Sequence, residues 1–169
     1  FGRQCLLARR MVERGVRFIE LINPRRRADR WDQHHKLIEG HRLNSLAVDK
    51  PIAGLIKDLK GLGLLNSTLI VWGGEFGRMP MSEQGTGRDH NPWGYSIVLA
   101  GGAVKGGMAH GTTDPIGLRA EQNKVHVHDL HATILHILGI DHERLTVKHH
   151  GKDERLTDVS GNVVKEILS

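Results

Sequence analysis

A single cysteine, Cys5, stands in a chain of 169 residues, so no internal disulfide can brace it. Aromatic residues are scarce too: three Phe, three Trp and one Tyr. So few rings offer few platforms for stacking bases, which argues against a nucleic-acid binder. No apolar run approaches the roughly 18 residues of a membrane helix; "TLIVW" and "YSIVLA" are strand-sized. The first residues also lack the apolar segment of a secretory signal, because Arg9 and Arg10 are followed by "MVERGVRF". What is present is ordinary for a folded protein: 38% hydrophobic and 25% charged residues, in a length suited to one domain spanning 1–169. Cys5 itself reads as a small core residue.

The net charge of +5 is unevenly spread. Nine arginines among residues 1–30 face only Glu13, Glu20 and Asp29, giving +6 there and −1 for the remainder. "PRRRADR" reads most simply as a solvated basic loop. Attraction of an anion toward a nearby site is the alternative.

Helical and strand patterns alternate along the chain. "RQCLLARRMVERG" places Cys5, Ala8 and Val12 on one helical face, closed by Gly15. "VRFIELI" (16–22) has the pattern of a strand, followed by a polar loop. Asp49 then has the position of a helix N-cap, with Pro51 in the first turn. Ile52, Leu55, Ile56 and Leu59 follow at helical spacing up to Gly61. "STLIVW" (67–72) is nearly continuous in apolar residues, as expected of a buried parallel strand. Strand, helix and strand together predict a βαβ unit. Further on, "YSIVLA" reads as a strand, and 127–139 as a helix with Val127, Leu130, Ile134 and Leu138 as its buried stripe. "LTVKHHGKDERLTD" has the marks of a short hairpin, and "GNVVKEIL" those of a last short helix. The expected class is α/β, with a mostly parallel sheet flanked by helices.

Open α/β sheets bind ligands beyond the carboxyl ends of their strands. "WDQHH" leaves the first expected strand, Glu75 stands three residues past the second, and "GRDH" precedes the third. If the third strand runs antiparallel, or its loop folds back, this arrangement gathers Asp32, His34, His35, Glu75, Asp89 and His90 at one rim. Carboxylates mixed with imidazoles and no thiolate suit zinc or manganese, with calcium or magnesium as further candidates. Asp89 is either a ligand or a group that orients its neighbour His90. Arg78 and Arg88 have the planar fork that binds phosphate or sulfate oxygens. His41 is a further candidate, and His128 or His126 is a reserve ligand. His126, His131 and His136, crowded with His128 around the last helix, read as capping and packing groups.

The motifs "WDQHH", "VWGGEFGRMP", "GRDHNPWGYSIVLAGG" and "VHVHDLHATILHILGIDHERLT" closely resemble a large bacterial domain-of-unknown-function family. Its members are labelled sulfatase-like and are grouped with the alkaline-phosphatase-like superfamily. The resemblance covers nearly the whole chain. It implies an alkaline-phosphatase-like α/β fold, with metal at the strand ends, that hydrolyses sulfate or phosphate esters of small molecules or carbohydrates. Carried over residue by residue, the implied ligands are Asp32 with His34, then Glu75, then His90. Two positions depart from the superfamily's pattern: His35 follows His34, and Phe76 stands where a histidine commonly follows the acid. The superfamily's nucleophile lies ahead of these motifs. The resemblance therefore implies the metal-binding C-terminal part of a longer hydrolase, lacking its N-terminal segment, inactive alone and exported in its full-length form. The alternative is a relic or metal-binding module that keeps the fold without turnover.

Overall fold

The computed structural model describes residues 1–23, 31–82 and 85–169. The basic loop with Arg25, Arg26, Arg27 and Arg30 lies outside the described residues. Among these described residues, three α-helices are interleaved with eight short strands: α1 (Gly2–Glu13), α2 (Leu37–Gly61), β1 (Leu69–Trp72), β2 (Gly77–Arg78), β3 (His90–Asn91), β4 (Val98–Gly101), β5 (Thr112–Thr113), β6 (Ala120–Gln122), α3 (Val127–Ile137), β7 (Thr146–His149) and β8 (Lys152–Arg155).

Among the described residues the strands do not join into one sheet. They form four two-stranded antiparallel ladders: β1 with β4, β2 with β3, β5 with β6, and β7 with β8. The expected parallel, alkaline-phosphatase-like α/β sheet is therefore wrong. Two local causes are visible. Residues 16–22, read as the first strand, form no strand, and Phe18 is 80% exposed there. The βαβ unit thus has no first member. The described residues between β1 and β4 contain no crossover helix, and antiparallel partners need none. Val71 and Trp72 are exposed, so the apolar run of β1 is not sandwiched between layers.

Helix α1 buries the expected small residues, Cys5 and Ala8. It runs beside the second half of α2 in the same direction: Gly2 lies against Pro51, and Arg9 pairs with Asp58 at 3.6 Å. Burial pushes the Cys5 thiol pKa up. Helix α2 begins at Leu37, so Asp49 is no N-cap and Pro51 lies inside the helix. The buried positions Asn44, Val48 and Leu59 carry the inward face across that proline.

Antiparallel β1–β4 pairs Leu69 with Gly101 and Trp72 with Val98. Gly101 has φ +80°, and a side chain there would collide with the Thr68 and Leu65 carbonyls. Only glycine allows that turn to close. Helix α3 turns a different face inward from the one expected: Ala132, Thr133 and Leu135 are buried, whereas Val127 and Leu138 are exposed. The expected hairpin is present as β7–β8, with His150 and Gly151 both at positive φ in a two-residue turn. The last helical turn is a 3₁₀ segment, Lys165–Ile167.

Candidate metal centre

Two loops build the site, and backbone bonds hold them side by side. Residues 31–36 lead into α2, and residues 86–89 lead into β3. Arg88 N donates to Gln33 O (3.0 Å) and Leu37 N to Thr86 O (3.0 Å). Lys36 N donates to Thr86 Oγ1 (3.2 Å). Gly87 lies flat against His34, where any side chain would overlap the His34 carbonyl. The second loop is fixed from its other side by β2–β3, in which Arg78 faces His90 and Met79 N donates to Asp89 O (2.8 Å).

One polar residue of this scaffold left no mark on the sequence reading. Asn91 is fully buried, donates through Nδ2 to Leu118 O (2.8 Å) and accepts from Trp93 N (3.1 Å). It anchors β3 immediately after His90. The Asn-Pro dipeptide at 91–92, a turn-initiating pair, was the available signal.

On this frame Asp32, His34 and His90 converge, with one ligand atom from each lying within 4.8 Å of the others. His34 Nε2 is 3.2 Å from Asp32 Oδ1 and 3.3 Å from His90 Nε2. His90 Nε2 is 2.7 Å from Asp32 Oδ1. Bonds of about 2.0–2.2 Å to an ion at tetrahedral angles separate ligand atoms by about 3.3–3.6 Å. Two edges of the triangle already approach that spacing. The third has the length of a hydrogen bond in which His90 donates to the carboxylate. Two imidazoles and a carboxylate on one face, with no thiolate, fit zinc, manganese or a similar divalent ion.

Arg78 binds the same carboxylate. Its guanidinium donates to Asp32 Oδ1 (2.9 Å), Trp31 O (3.0 Å) and Arg88 O (3.3 Å), so it ties three parts of the site together. The hydrogen bond from His90, then that from Arg78, lowers the Asp32 pKa to about 2. The Phe76 ring packs against His90 at 4.3 Å between centroids. Phe76 thus gives the His90 ring an apolar neighbour.

The remaining sequence candidates are placed as follows. Asp89 accepts from His34 Nδ1 at 3.1 Å and is not one of the three converging groups. Glu75 is exposed in the bend after β1, outside the cluster. His35 is exposed and lines a cavity of about 500 Å3 beside the site, together with Lys36, Glu39 and Leu43. His41 is exposed and meets the Trp31 ring edge-on at 5.8 Å. His128 contacts Ser160 Oγ (3.1 Å), and His126 caps α3 by accepting from His128 N. Arg88 donates from NH1 to Gly87 O (2.6 Å).

Fold and site together define a mixed helix-and-strand protein with a two-histidine, one-carboxylate cluster at the junction of two loops. Among known families, the chain belongs to DUF1501, a family described as a protein of unknown function, whose model matches residues 1–168. No curated protein and no solved structure matches the chain. In the described residues no helix is long and apolar enough to cross a membrane.

Proposed function

We propose that this chain carries the divalent-metal centre of an ester hydrolase acting on phosphate or sulfate esters, the sulfatase-like chemistry its motifs resemble. The convergence of Asp32, His34 and His90 is the observation that carries the reading. When bound, the ion would polarise the ester oxygen and lower the pKa of an attacking water. The chain's own residues do the rest. Asp32 supplies the anionic ligand and is kept ionised by Arg78 and His90. Phe76 shields one face of His90 from water. Arg88 and Lys36 bring positive charge to the two loops, as an anionic ester requires. The adjoining cavity gives the ester's organic group a place to lie.

A binding module that holds the ion without turnover is the second reading. It rests on the same three residues, which can hold an ion and include no hydroxyl or thiol nucleophile. Assay of aryl phosphate and aryl sulfate with zinc or manganese separates the two. Hydrolysis that disappears in both His34→Ala and His90→Ala supports the hydrolase. Metal binding without hydrolysis supports the module, and hydrolysis undiminished in both variants contradicts the site itself.

A further inference from the structure

We propose that Asp89 is the positioning residue of this centre: it holds His34 as the Nδ1–H tautomer and so turns the Nε2 lone pair toward Asp32 and His90. The proposal rests on reading Asp32, His34 and His90 as a metal site, yet it concerns the state of the ring before any ion arrives.

The proton arrangement follows from what each group can do. An ionised carboxylate only accepts, so the 3.1 Å contact between His34 Nδ1 and Asp89 Oδ1 places a hydrogen on Nδ1. A neutral imidazole carries one N–H, which makes His34 Nε2 the acceptor nitrogen. That nitrogen faces His90 Nε2 at 3.3 Å. His90 Nε2 is the donor there, because it also lies 2.7 Å from the Asp32 carboxylate. One set of protons thus satisfies all three contacts.

Asp32 is the rival acceptor, since its Oδ1 lies 3.2 Å from His34 Nε2. It already receives Arg78 at 2.9 Å and His90 at 2.7 Å on that same oxygen. Asp89 lies on the other side of the ring, with Oδ1 3.1 Å from His34 Nδ1, and its backbone is pinned through Met79 N and, one residue earlier, Gln33 O. Neighbours along the chain therefore address opposite sides of one ring: Asp89 holds Nδ1, and His90 meets Nε2. This is the chemical use of the Asp-His dipeptide. A carboxylate behind a ligating histidine fixes the ring's tautomer and rotation, and its loss typically weakens metal binding 10–100-fold.

The test reads nitrogen-15 chemical shifts of the histidine rings in the whole, metal-free chain at about pH 8.5, above the ordinary imidazole range. His34 is expected as Nδ1–H, changing to Nε2–H in Asp89→Ala and in Asp89→Leu, which keeps the bulk. Zinc titration of the same variants should show a dissociation constant raised about 10–100-fold. Nε2–H in the unaltered protein overturns the proposal without any variant having to fold. Nδ1–H retained in both variants overturns it too, as does a changed tautomer with unchanged zinc affinity. If Asp89 controls the tautomer but no form binds zinc, Asp89 still orients His34 and the metal reading fails instead.

Discussion

Asp32 concentrates the electrostatics of the site, since Arg78 and two imidazoles all reach its Oδ1. Its lowered pKa, about 2, fixes a sign. The folded state holds the ionised form more tightly than the unfolded chain does, where an aspartate titrates near ~3.9. The resulting stability is complete above about pH 4 and is lost as pH falls toward about 2. Because the side chain is 32% exposed, water screens part of the effect. Denaturant unfolding between about pH 5 and pH 2 should show a steeper loss for the unaltered protein than for Asp32→Asn. Parallel curves would mean that these contacts do not persist in solution.

Gly87 gives a steric test at the same scale. A methyl there overlaps the His34 carbonyl, so Gly87→Ala should cost about 1–3 kcal/mol and loosen the site. Gly54→Ala, which meets nothing within 4 Å in helix α2, should be neutral or stabilise by up to ~1 kcal/mol. Urea midpoints of the two variants check the contrast. Asp32, His34 and His90 were legible in the sequence because acids and imidazoles clustered at apparent element ends. Glu75 stands apart from that cluster for a local reason. The bend at 75–76 brings the Phe76 ring to His90 and leaves the acid exposed.

Element boundaries explain most of what the sequence hid. Asp49 and Pro51 imitate a helix start, yet α2 runs straight through them from Leu37. Its buried face upstream includes Asn44, a polar residue that breaks the apolar rhythm on which periodicity depends. Helix α3 was found at nearly its true extent, but its inward face centres on Ala132, Thr133 and Leu135. Thr133 belongs there because its hydroxyl donates to Asp129 O and accepts from Val164 N. Asp129 starts this helix: its carboxylate accepts from His126 N (2.8 Å) and Asn162 N (2.7 Å). Burial raises its pKa, but these donors outweigh that and leave it lowered. Asp129→Ala should therefore cost on the order of 1–2 kcal/mol and fray the start of α3. Hydrogen exchange at the amides of residues 126–130 is the measurement, and protection equal to the unaltered chain's would contradict the capping role.

At the scale of the whole molecule, the error in fold class came from reading apolar content as layered burial. Near-continuous runs such as "TLIVW" suit a strand covered on both faces, but they specify no partner. Among the described residues β1 finds one antiparallel neighbour, and the four ladders stay separate. The buried hydrophobic set among the described residues is small: Cys5, Ala8, Val48, Leu59, Ala132, Leu135 and Val164. The loops, not a continuous sheet, do the positioning. Residues 31–36 and 86–89 are joined through backbone bonds, and that junction is where the sequence's acids and histidines meet.

Calorimetric titration of the metal-free chain with zinc tests the central claim most directly, with thermal unfolding of the same samples alongside. The account expects one saturable site that Asp32→Asn, His34→Ala or His90→Ala each removes and Glu75→Ala leaves intact. At about 100 times the dissociation constant, binding to the folded state alone should add roughly 2.7 kcal/mol of stability. A site that survives His34→Ala, or melting curves identical in zinc and in chelator, would contradict it.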